Sequence, residues 1–162
     1  MGGGGGRQYR EQVDLDRLRE KVRQELDGSE RGRNVFLSFA YEDLATVNAL
    51  RAQAANSETD LDFQDWSVKE PFNSENADYI KQRIRERIRR SSAVLVFVTE
   101  DAAHSDWVNW EAEEGLRQGK QVFAVYAGDN PPESLPLAVR ENSLPVIRWT
   151  HDGIIDQLAD NS

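Results

Sequence analysis

From Val35 onward, short apolar runs alternate with stretches in which apolar residues recur every three or four positions. The run VFLSF at 35–39 predicts a first strand, and residues 44–55 its helix, with Leu44, Val47, Leu50 and Ala54 on one face. Residues 61–66 alternate as a second strand whose polar face suits a place nearer the sheet edge. Pro71 interrupts regular structure, so 67–75 is a loop. A helix follows from about 76 to 90, with Ile80, Ile84 and Ile88 as its buried stripe. VLVFV at 94–98 is apolar throughout, the pattern of a strand buried on both faces, and Ser105 or Asp106 then caps a helix. QVFAVY at 121–126 is a fourth strand, 127–144 a long proline-containing connection, and 145–148 a short fifth strand. A last helix spans about 150–159, with Ile154, Ile155 and Leu158 apolar.

Upstream, the organisation differs. Residues 1–13 form a glycine-rich lead, since glycines 2–6 hold no structure of their own. Residues 14–33 form a separate helix and linker: Leu15, Leu18, Val22 and Leu26 recur at helical spacing and Gly28 closes the run. That helix either packs across a sheet edge or mediates self-association into a homo-oligomer. Residues 34–160 make up the repeating domain.

Strands alternating with helices imply an α/β fold, a parallel sheet covered by helices on both faces. Five strands favour the flavodoxin-like three-layer arrangement of order 2-1-3-4-5, whose ligand crevice opens where the chain switches faces, between the first and third strands. Three loops then surround one crevice: 38–43, 66–73 and 99–111. Trp107 and Glu111, four residues apart, share one helix face beside it.

Composition narrows the chemistry. The chain has no cysteine, which excludes disulfide frameworks, zinc-thiolate sites and thiol catalysis, and its two histidines leave little scope for a histidine-based metal centre. A net charge of -9 argues against nucleic-acid partners. No apolar run approaches the roughly 18 residues of a membrane span, so no membrane association is expected and the cytoplasm is the default compartment.

Three segments together carry a family resemblance: VFLSFAYED at 35–43, DWSVKEPF at 65–72 and SDWVNWE at 105–111. They resemble the TIR-like domains of bacterial Thoeris antiphage systems, the ThsB family, over roughly residues 34–160. The most specific parts are the second loop and the tryptophan-to-glutamate spacing. The resemblance implies an enzyme that cleaves NAD as substrate, without a separate cofactor or metal. Its cyclic or conjugated ADP-ribose product would activate a separate effector protein, with a phage component as an expected trigger. It selects Glu111 as the catalytic carboxylate, and the NAD-binding expectation covers Ser38, Phe39, Ala40, Tyr41, Trp66, Ser67, Lys69 and Trp107. Val108 departs from the pattern, since many TIR domains carry cysteine after the tryptophan; packing rather than chemistry is the expected consequence.

A single carboxylate suits such a reaction. Ordinary glycoside hydrolysis needs a second carboxyl group to protonate its leaving group. Nicotinamide leaves NAD as a neutral molecule from a cationic linkage, so no general acid is required. What remains is to hold the ribose and stabilise the positive charge that develops at its anomeric carbon. Trp107 would wall the site or stack on nicotinamide, and the 66–72 loop would close the crevice.

Each of these residues also has a plainer reading. Trp107 and Glu111 at helical spacing suit a core plug and a solvated charge. Phe39 and Tyr41 suit simple packing, Ser38 a bond to the turn backbone, Lys69 a solvated loop and Asp43 a helix cap. The basic run Lys81, Arg83, Arg85, Arg87, Arg89 and Arg90 reads as solvated surface, and His104 as an exposed loop histidine. A phosphoacceptor receiver domain is disfavoured, because the first strand ends Ser38-Phe39-Ala40 and the third Val98-Thr99, without the required acids, and no lysine ends the fifth. A flavin carrier would need a phosphate loop that residues 39–42 do not supply. The remaining competitor is a non-enzymatic TIR-like module acting by assembly or recruitment.

Overall fold

The parity of side chains along the strands decides how the layers assemble. Even-numbered Phe36, Val94, Val96, Val122 and Ala124 are buried in one apolar cluster, and odd-numbered Val35, Leu37, Leu95, Phe97, Phe123 and Val125 in another. Both faces of the central strands are therefore apolar, so helices must cover both. The protein is described by a computed structural model over residues 33–55, 61–65 and 71–160.

Strand β1 (Arg33–Ser38) leads through a 3-10 turn (Tyr41–Asp43) into helix α1 (Leu44–Ala55) and strand β2 (Leu61–Asp65). Helix α2 (Ala77–Arg90) precedes β3 (Ala93–Phe97), which is followed by the short helix α3 (Glu100–Ala103) and by α4 (Asp106–Arg117). Strand β4 (Gln121–Tyr126), helix α5 (Leu137–Glu141), strand β5 (Val146–Arg148) and helix α6 (His151–Ala159) complete the domain. All neighbouring strands are parallel and run in the order β2-β1-β3-β4-β5, as the sequence pattern predicts.

Helices α2 and α4 cover the even-numbered face, where Ile80, Ile84 and Ile88 of α2 and Val108 and Ala112 of α4 join the core. Fully burying an isoleucine contributes about 1.5–3 kcal/mol, enough to make that stripe the main anchor of α2. On the other face, Val47 of α1 and Ile154 and Leu158 of α6 do the same. The chain after β1 thus departs to one face and the chain after β3 to the other. Their divergence opens the crevice between β1 and β3.

Two elements were not legible in the pattern. Thr99, whose side chain accepts a hydrogen bond from the Ala102 amide, starts α3 where a loop is expected, and α5 lies inside the long connection after β4. The expected N-terminal lead, the helix over 14–27 and the loop residues Trp66, Ser67 and Lys69 lie outside the described residues. Among the described residues, no helix is long and apolar enough to cross a membrane.

Candidate active site

Helix α4 is built to bring its first two turns against the sheet. Ser105 caps it, its hydroxyl accepting from the Val108 amide at 3.2 Å. Trp107, Glu111 and Gly115 then form one stripe, all three buried. At Gly115 the missing side chain matters, because a Cβ there would stand 2.8 Å from Cγ2 of Val94 and 3.0 Å from Cγ2 of Val122. The helix therefore lies closer to β3 and β4 than an alanine would allow. Glu111, one turn earlier, is pressed toward the end of β1.

There it meets Ser38, the last residue of β1 and one of the even-numbered set. The Ser38 hydroxyl donates to Glu111 Oε1 at 2.6 Å, and both residues are buried, Glu111 at 2% exposure. The second carboxylate oxygen, Oε2, is buried and has no hydrogen-bond partner among the described residues. Desolvation pushes the Glu111 carboxyl up from its ordinary 4.5 to about 8, and the Ser38 hydrogen bond only partly opposes that rise. Glu111 is therefore held mainly as the neutral acid at pH 7. An orphaned oxygen of this kind is expensive to bury, and such atoms are found where a ligand completes the set.

The neighbouring buried carboxylate makes a useful contrast. Glu114 lies three residues further along α4, hydrogen-bonded by Arg117 and by Gln118 Nε2 at 2.9 Å, with Arg85 Nε at 3.5 Å. It is saturated by donors and serves to tie α4 to α2. Among the described residues, Glu111 has one donor and no ion-pair partner, and so keeps capacity for a ligand.

Trp107 forms the adjoining wall. Its ring meets Phe72 edge-on at 4.9 Å and Trp110 at 6.1 Å. The ammonium of Lys81 sits 4.2 Å from the centre of the Phe72 ring, and Arg85 lies 5.4 Å from that of Trp110. Of the basic run on α2, expected as solvated surface, Arg85 is exposed as expected, whereas Lys81 is half-buried against the Phe72 ring.

The family model for the Thoeris protein ThsB, TIR-like domain, matches residues 36–131. The chain belongs to that family. The matched span begins in β1 of this TIR-like domain and runs through the whole crevice, Glu111 included. The TIR-like domain is also similar, at 23% identity over 119 residues, to a Cytobacillus dafuensis protein named "Putative cyclic ADP-D-ribose synthase TIR2". That match takes in 72% of this chain but 31% of the relative, so the chain spans about a third of the relative's length. Among solved structures, the TIR domain of the Toll-related receptor TRR-2 from Hydra magnipapillata is similar with a TM-score of 0.48 and 15% identity. That alignment covers 78% of this chain and 92% of that one.

Within the TIR-like domain, the structure brings Ser38 directly onto Glu111 and places Trp107 one turn before it. Ala40 is buried in the same cluster as Trp107, whereas Phe39, odd-numbered, packs into the core of the opposite face. Tyr41 is 40% exposed at the start of the 3-10 turn. Asp43, read from sequence as a cap, accepts instead a hydrogen bond from Thr99 across the crevice at 2.5 Å. His104 is exposed at the end of α3. Among the described residues, no three acidic or histidine side chains converge on a common metal position. Phe72, Lys81 and Thr99 were not singled out as site residues. Only the placement of Thr99 directly after a buried strand could have pointed to it.

Proposed function

We propose that this TIR-like domain cleaves the nicotinamide–ribose bond of NAD and passes the ADP-ribosyl group to an internal or bound nucleophile. The product would be a cyclic or conjugated ADP-ribose signal for a separate effector in antiphage defence. The observation that carries this reading is Glu111 Oε2, buried at the switch-point crevice and unpartnered among the described residues. The name of the Cytobacillus dafuensis relative supports the same class of reaction.

Glu111 rests as a neutral acid because it is desolvated. Ribose hydroxyls donating to its carboxylate, together with the cationic nicotinamide linkage, favour the ionised form, so substrate binding expels the proton. The carboxylate is then fixed beside the anomeric carbon as nicotinamide departs as a neutral molecule. Its charge stabilises the positive charge that develops there. Ser38 holds Oε1 and leaves Oε2 for the substrate, while Trp107 and Phe72 wall off water that would otherwise capture the ribosyl carbon.

The test is nicotinamide release and formation of a new ADP-ribose product by wild-type protein and by Glu111→Gln, with purified chains and with nucleotide extracts of phage-exposed cells. Gln keeps an acceptor for Ser38 and the same volume, so the fold is retained. Release by wild type and none by Glu111→Gln is expected. Equal release by both removes Glu111 from the reaction. Assembly or partner recruitment without NAD loss in either setting would favour the non-enzymatic module.

A further inference from the structure

The turn that leaves β1 is tied twice to the chain that leaves β3. Ser38, at its start, is bonded to Glu111, and Asp43, at its end, accepts from the Thr99 hydroxyl at 2.5 Å. Between them the turn closes on itself, with the Asp43 amide donating to the Ala40 carbonyl at 2.9 Å. Tyr41 stands exposed in the middle. The segments so joined head for opposite faces of the sheet, so the Asp43–Thr99 bond lies across the mouth of the crevice rather than within either wall.

Thr99 uses its one hydroxyl in both directions. It donates to Asp43 Oδ2 and accepts from the Ala102 amide at 3.0 Å, which starts α3. From there the Ser105 amide donates to the Ala102 carbonyl at 3.1 Å, and Ser105 caps α4. A continuous series of short bonds therefore runs from Asp43 to the helix that carries Trp107 and Glu111. Asp43 is half-buried beside Glu42 and Asp101. Burial first, and then these two acids, pushes its carboxyl above the ordinary range, while Thr99 opposes the rise.

We infer that Asp43 is a positioning residue: through Thr99 it braces the 39–43 turn against α3 and α4, and so sets how tightly a nucleotide is held over Glu111. The inference rests on the NAD reading for its kinetic consequence but not for the brace itself. Asp43→Ala removes the acceptor, and Asp43→Asn restores it without charge. Thr99→Ser keeps both uses of the hydroxyl. Thr99→Asp keeps the helix cap, since aspartate is a preferred capping residue, but replaces the donor by a repelling carboxylate.

The experiment measures nicotinamide release against NAD concentration and, without NAD, amide hydrogen exchange across the full chain. Asp43→Ala and Thr99→Asp should raise the KM for NAD about tenfold with kcat unchanged, the effect of losing one hydrogen bond. Asp43→Asn and Thr99→Ser should stay near wild type. Exchange should quicken together at 39–44 and at 99–105 in the two disruptive variants. An unchanged KM, a failure of asparagine to rescue, or exchange that quickens on one side alone overturns the inference. Should the wild type consume no NAD either here or in phage-exposed cells, the functional reading falls. The brace is then upheld by two-sided exchange and overturned by one-sided exchange.

Discussion

Ser38 and Glu111, 73 positions apart in the chain, are joined by a buried hydrogen bond of 2.6 Å that uses one carboxylate oxygen and leaves the other without a partner among the described residues. The arrangement combines a group that can be ionised only at a cost with a place for a ligand to remove that cost. Its properties can be read by titration before any substrate is added.

Stability should fall with rising pH because of this one residue. In the folded chain Glu111 holds its proton up to about pH 8, whereas an unfolded glutamate loses it near 4.5. Between those values the native state binds more protons than the unfolded state. The contribution of Glu111 is therefore fully present below about 4.5 and is lost as pH climbs toward 8. The slope approaches about 1.4 kcal/mol per pH unit. Urea unfolding across that window should show wild type losing ground to Glu111→Gln as pH rises. Parallel curves would mean that Glu111 is not buried as an acid.

The same shift bears on turnover. If the ionised form is required, kcat/KM, which reports the free enzyme, should climb through an apparent pKa near 8. The cationic linkage of the bound substrate favours the carboxylate, so kcat should reach its plateau at lower pH than kcat/KM. Profiles of nicotinamide release check both limbs. A kcat/KM that is flat through neutrality would contradict the neutral resting state.

Ser38→Ala isolates the one interaction that holds the Glu111 pKa down. Without the hydroxyl both carboxylate oxygens are unpartnered, which costs about 1–3 kcal/mol if the carboxylate forms. The ascending limb of kcat/KM should then move to higher pH, and Ser38→Thr, which keeps a hydroxyl, should move it less. Loss of rate with an unmoved limb would instead make Ser38 a substrate contact.

The sheet was legible in the sequence because both-face burial leaves a strong signal in the central strands: three apolar runs, an alternating segment at 61–66 and a short one at 145–148, with helices at 3.6-residue spacing between them, permit few arrangements. Bounds agree where the pattern is uninterrupted, as at Leu44–Ala55 and Gln121–Tyr126. Helices of four and five residues carry no such period, so Glu100–Ala103 and Leu137–Glu141 escape it. At the site, the shared face of Trp107 and Glu111 follows from spacing alone. The pairing of Ser38 with Glu111, or of Asp43 with Thr99, does not, since nothing local links a residue to a partner more than fifty positions away. Lys81 looks solvated in sequence because the ring it covers comes from another segment.

Gly115→Ala sets two local effects against each other. Alanine in a helix is favoured over glycine by about 1 kcal/mol. Its Cβ, however, would meet Val94 Cγ2 at 2.8 Å, Val94 Cβ at 3.2 Å and Val122 Cγ2 at 3.0 Å. Both valines are buried β-branched residues, with little freedom to turn their methyl groups away. Overpacking of this kind costs about 1–3 kcal/mol, so the net effect is a modest loss of stability as α4 lifts from the sheet. Glu111 lies one turn before Gly115 on the same stripe, and lifting the helix draws it from Ser38. Turnover should therefore fall far more than stability, by about tenfold or more, since catalytic geometry tolerates shifts well under 1 Å. Val94→Ala alone should destabilise by leaving a cavity, but in the Gly115→Ala background it makes room for the new methyl group. A double-mutant cycle should then show the pair recovering both stability and turnover relative to Gly115→Ala. Additive losses would mean that the close approach at Gly115 does not set the position of Glu111.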